Sequence, residues 1–117
     1  MRAITTHIVE GADRQPALLA HGDIGTGGAE QRYTMLWEDD QKRIVHAPVK
    51  FISLEEPGVT NEALLAIVMD RLEGFQAGAF PCQENEDALA GVNHALKSLH
   101  QRTLGRIARG VESQAKA

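Results

Sequence analysis

The chain has 117 residues, 43% apolar and 24% charged, a composition that supports one modest hydrophobic core and excludes intrinsic disorder. A formal charge of −4 argues against DNA or RNA as partners, because the phosphate backbone rewards basic surfaces. The lone Cys82 excludes an internal disulfide and a cysteine-rich zinc site, and no apolar run approaches membrane-spanning length. Met1–His7 lacks the long apolar core of a signal peptide, so a soluble cytosolic protein without membrane attachment is expected.

Ile4–Val9 is rich in β-branched residues and reads as a first strand. The glycines at 22, 25, 27 and 28 punctuate the next stretch. They match neither a phosphate-binding loop with a following Lys-Ser/Thr nor a dinucleotide fingerprint, so a flexible loop is expected. Arg32–Trp37 and Arg43–Ser53 read as further strands joined through the polar turn Glu38-Asp39-Asp40-Gln41, with Pro48 marking an edge or a bulge.

The pattern changes at Pro57-Gly58-Val59-Thr60. Thr60 suits an N-cap and Glu62 the first turn of a helix, after which Leu64, Leu65, Val68, Leu72 and Phe75 recur at helical spacing. Gly74, Gly78 and Pro81 end it. A second helix is expected from about Glu84 to about Ala108, roughly 36 Å long, with the stripe Leu89, Val92, Leu96, Leu99 and Ile107 and Thr103 filling the gap; Gly110 stops it. Two amphipathic helices joined by a short Gly/Pro loop pack as an antiparallel hairpin. The fold class is therefore α+β in one domain over 1–117, a small antiparallel sheet over 1–57 and a helical hairpin over 58–117. The second helix outruns the first, and oligomerisation is the natural way to cover its last turns.

Between Ala88 and Val111 there is no acidic residue, whereas Lys97, Arg102, Arg106 and Arg109 all fall there. At about 100° per residue the three arginines lie within an arc of about 60° on the flank of the apolar stripe. Forked guanidinium donors on neighbouring turns suit a pyrophosphate or two phosphates. A basic last turn complementing the helix dipole is the plainer account of the same residues. Phe75 and Asn85 belong to the loop end of the hairpin, ~25 Å from Arg102 along the axis. They can share a ligand with the arginines if another subunit supplies one of the two sets; otherwise Phe75 is core and Asn85 a capping residue. His94 and His100 do not share a helical face, and Ser98 beside His94 lacks an acidic orienter, so neither a metal site nor a catalytic residue is expected.

The run from Gly58 to Leu72, followed by Phe75-Gln76-Ala77-Gly78, Cys82-Gln83-Glu84-Asn85 and the tail Gln101–Glu112, resembles the hairpin domain of phage anti-Thoeris and anti-CBASS sponge proteins. Within that group it is most similar to the first-described Thoeris anti-defence family, whose N-terminal sheet Met1–Gly11 and Gly27–Tyr33 also resemble. The resemblance implies a non-enzymatic protein of the host cytoplasm, without cofactors. Such proteins capture glycocyclic ADP-ribose isomers, and in some members cyclic di- or trinucleotides, as dimers or hexamers with inter-subunit sites. It further implies that Phe75 stacks on the base, Asn85 hydrogen-bonds the ligand, Arg102 and Arg106 grip phosphates, and Arg109 assists. The loop Ala79-Phe80-Pro81-Cys82-Gln83 departs from the family's order and lacks a basic residue beside Asn85, and Gly105 stands where a polar or basic residue is common. Two other readings stand beside this one: an enzyme that degrades such nucleotides, and a phage structural or assembly protein whose arginines meet an acidic partner.

Overall fold

A computed structural model describes residues 1–110; Val111 and Glu112, which end the resembling tail, lie outside the described residues, as does Ser113. The chain divides into two compact units, Met1–Gly58 and Val59–Ala117. The first is a four-stranded antiparallel meander in the order β1 (Arg2–Ala3), β2 (Ala17–Ala20), β3 (Arg32–Glu38) and β4 (Ile44–Lys50). The second carries α1 (Asn61–Ala77) and α2 (Gln83–Ala108), packed on one another. The α+β class is as the sequence led us to expect.

Ile4–Val9 is not a strand. After Ile4 donates to Leu18 O the chain turns, with Ile8 N–H on Thr5 O and Ala12 N–H on Val9 O. The Gln15 side chain then accepts from Val9 N–H and donates to Val9 O, taking both backbone groups that a ladder would have used. The strand that pairs with β3 is instead Ala17–Ala20, Ala-Leu-Leu-Ala, aligned so that Leu18 faces Met35 and Ala20 faces Tyr33.

In the β3–β4 ladder Tyr33 pairs with Val49, Met35 with Ala47 and Trp37 with Val45, an apolar face of alternate residues. Phe51 donates to Gln31 O at one end and Asp39 to Arg43 O at the other. Counting by twos from those bonds, the N–H positions of residues 44, 46, 48 and 50 point away from β3. Pro48 therefore removes a donor from the free edge, where it blunts pairing with another chain and costs the sheet no bond.

Helix α1 begins where Thr60 Oγ1 accepts from Ala63 N–H at 3.0 Å. Helix α2 begins at Cys82, whose sulfur accepts from Asn85 N–H at 3.4 Å, so Cys82 and not Asn85 is the capping residue. The half-buried side of α1 is Leu64, Leu65, Met69, Leu72 and Gln76; Val68 and Phe75 stand exposed on its flank. The inner side of α2 runs Leu89, Val92, Leu96, Leu99 and Thr103, and its next step falls on Arg106, leaving Ile107 exposed. Among the described residues only Ala20 and Leu96 are apolar side chains buried outright.

Candidate functional site

The inner stripe of α2 is closed by polar residues at both ends. Asn85 stands one step before Leu89 and Arg106 one step after Thr103, both half-buried and on the line of the apolar residues between them. Arg102 lies outside that line and is exposed. Arg109 caps the helix, its N–H donating to Gly105 O at 3.1 Å, and its guanidinium folds back over Gly105: a Cβ there would stand 3.4 Å from Arg109 Nη1. The glycine thus gives Arg109 room to lie along the helix end.

Phe75 is 52% exposed near the end of α1, which removes it from the core. One turn earlier, Arg71 places its guanidinium carbon 5.5 Å from the Phe75 ring centroid. The connection beside Phe75 is held by Gln76, whose amide accepts from Cys82 N–H at 3.0 Å and donates to Glu86 at 3.1 Å. The hairpin thus carries an aromatic platform and an amide at its loop end, and guanidinium groups at the far end of α2. Asn85 and Arg106 are separated by ~32 Å of helix, so one hairpin does not bring both ends to one small ligand. Among the described residues six large apolar side chains of the two helices and their loop stand exposed, including Leu104 at 63% and Phe80 at 88%.

Sequence reasoning missed a charged cluster in the sheet unit. Arg32 Nε bonds Asp23 at 3.0 Å, Arg32 Nη2 spans both oxygens of Glu56, and Lys50 Nζ reaches Glu56 at 2.7 Å. The Lys50 hydrogen bond and the charge of Arg32 hold the Glu56 carboxyl below the usual carboxylate range, and Asp23 and Glu56 raise Arg32 further. These residues line a cavity of about 170 Å³. One wall is the glycine-rich segment, which is ordered where a flexible loop was expected. Gly25 donates to Ala29 O, Ile24 bridges Glu30, and the Glu30 carboxylate takes N–H groups from Gly22 and Asp23 at 3.0 and 2.7 Å. Burial pushes that carboxyl up, but these bonds, a third from the Arg32 backbone and the charge of Arg2 outweigh it and hold it low. The legible signal was Glu30 itself, an acid set after a run of glycines whose N–H groups need an acceptor.

Among the described residues no three His, Cys, Asp or Glu side chains group as metal ligands, and His94, Ser98 and His100 stay exposed on α2. No helix is long and apolar enough to cross a membrane among the described residues.

No family model matches the chain. A protein of Bacillus phage SBSphiJ7, Thoeris anti-defense 1, is 47% identical to it over 55 residues, which cover 47% of this chain and 39% of the relative. The chain thus matches about two fifths of that relative's length. The likeness is to that relative, and it spans nearly half of this chain.

Proposed function

We propose that this protein is a phage Thoeris anti-defence factor of the host cytoplasm that works by sequestration: it binds glycocyclic ADP-ribose signals between subunits and does not cleave them. The observation that carries the reading is the placement of Asn85 and Arg106 at opposite ends of one apolar stripe, with Phe75 exposed beside the Asn85 end. In an antiparallel pair of hairpins the Phe75–Asn85 end of one subunit meets the Arg102–Arg106–Arg109 end of the other. The base then stacks on Phe75, Asn85 reads a polar edge, and the arginines hold the pyrophosphate through bidentate bonds. The exposed side chains of Ile67, Val68, Leu104 and Ile107 supply apolar surface that such a pair would bury.

The reading is favoured over hydrolysis because neither His94, Ser98 nor His100 has a hydrogen-bonded partner that would orient it as base or nucleophile among the described residues. The test is to load the protein with glycocyclic ADP-ribose, remove unbound ligand, denature the protein and chromatograph the released small molecule. Intact signal, one equivalent per site, is expected. A linear product, or turnover beyond one equivalent, overturns sequestration.

A further inference from the structure

We propose a second ligand site in the sheet unit, an open groove of about 900 Å³ at the end of β3, shaped for a single mononucleotide-like molecule: an amino-substituted aromatic ring bearing one phosphate. Its floor is Trp37 and Met35, neighbours on the apolar face of the sheet, both partly exposed. Trp37 is 43% exposed, and no hydrogen bond or ring contact occupies its indole among the described residues. An uncovered indole in a concave setting is a stacking platform for a planar ring.

Two cations flank that floor. Arg14 comes from the segment entering β2 and Lys42 from the β3–β4 turn, and both line the groove with no ion pair or hydrogen bond to their side chains among the described residues. Both also hold the left-handed backbone conformation, at φ 60 and φ 61, where glycine is the easier residue. These are the two positive-φ residues other than glycine in the described chain, and they meet at one groove. The lining acids divide. Asp39 is already committed, accepting from Gln41 and Arg43 N–H groups and pairing with the Arg43 guanidinium. Glu38 and Asp40 are uncommitted acceptors. Two free cations balanced by two free carboxylates disfavour a polyanion. They fit an amphoteric ligand whose phosphate meets Arg14 and Lys42 while an exocyclic amine or sugar hydroxyls donate to Glu38 or Asp40.

Trp37 is the chain's one tryptophan, so its fluorescence reports on this groove directly. The probe is adenosine 5′-monophosphate, titrated into full-length protein carrying Arg102→Ala and Arg106→Ala so that the hairpin arginines contribute no binding. Saturable quenching is expected, at least about tenfold weaker with adenosine and absent with inorganic phosphate. Arg14→Gly with Lys42→Gly removes both cations while suiting the backbone, so the variant should melt no lower than its parent and bind about tenfold more weakly or worse. Quenching that never saturates, equal affinity for adenosine and the monophosphate, or unchanged affinity in the Arg14→Gly/Lys42→Gly chain each overturns the site. The hairpin reading stands or falls separately, because its own ligand and variants are different.

Discussion

Arg71 lies over the ring of Phe75, its guanidinium carbon 5.5 Å from the ring centroid and one turn back along α1. In the proposed site, a base stacked on Phe75 would meet a ring that already carries a cation on one face. That contact fixes the ring's angle and draws on its electron density, and exposed cation–π pairs are worth about 0.5–1 kcal/mol. Arg71→Ala should weaken capture of glycocyclic ADP-ribose by about two- to fivefold, and Phe75→Ala by far more. Titration calorimetry of the two variants checks the order. Equal losses would mean that Arg71 touches the ligand itself.

Arg102 and Arg106 are placed differently, one exposed and one half-buried at the end of the stripe. Charge-assisted bonds to phosphate contribute about 1.5–3 kcal/mol each. Arg102→Ala with Arg106→Ala should thus lower affinity by two orders of magnitude or more. Arg102→Ala alone should leave the melting temperature within a degree or two, whereas Arg106→Ala should cost stability through the packing of its stem. Undiminished capture by the double variant in equilibrium dialysis would locate the phosphate site elsewhere.

The contrast between those arginines shows where the sequence could be read and where it could not. Helical spacing marked Leu89, Val92, Leu96 and Leu99 as one stripe because their identities and their period agree. It then ran on to Ile107, since hydropathy prefers isoleucine to the arginine beside it, but the geometric line falls on Arg106. The same error exchanged Met69 and Gln76 for Val68 and Phe75 on α1. All three misplaced apolar residues, Val68, Phe75 and Ile107, are exposed on a flank, as expected where a second surface is to be covered. The strand error has another cause. Ile4–Val9 has the composition of a strand, but Gln15 takes the Val9 backbone groups, while Ala17–Ala20 has a poor strand composition and a partner in β3. Pairing, which composition does not encode, decided between them.

Glu30 and Glu56 both ionise more readily in the folded chain than an ordinary carboxyl, the first through backbone N–H groups that outweigh its burial, the second through Lys50 and Arg32. A depressed folded value contributes stability that is present above the unfolded pKa, about 4.3 for glutamate, and is lost as pH falls through the lower folded value. The sheet unit should therefore lose stability on acidification below about pH 4.5, read as a falling urea midpoint. Glu30→Gln and Glu56→Gln should each flatten that slope. A slope unchanged in both variants would assign the acid sensitivity to other carboxyls.

Gly58 closes against the strand before it: a Cβ there would stand 2.5 Å from Lys50 O, 2.6 Å from Phe51 C and 2.7 Å from Ile52 N. All three atoms are backbone and none can swing aside. Gly58→Ala should destabilise by about 1–3 kcal/mol in chemical denaturation. Gly27→Ala, where a Cβ meets open space, should stay within about 0.5 kcal/mol.

The proposed composite site makes a prediction that a site within one subunit does not. Phe75→Ala disables the loop-end half of each site, and Arg102→Ala/Arg106→Ala disables the arginine half. Neither variant alone should capture glycocyclic ADP-ribose. When the two are mixed and allowed to exchange subunits at random, half of the dimers are heterodimers. In each heterodimer one site combines both defects, while the other joins an intact Phe75–Asn85 end to an intact arginine end. The mixture should therefore regain about a quarter of the wild-type capacity at wild-type affinity. A site built within one chain regains none, because every chain in the mixture carries a defect. Ligand retained by the mixture on a desalting column, compared with each variant unmixed, decides between the two arrangements.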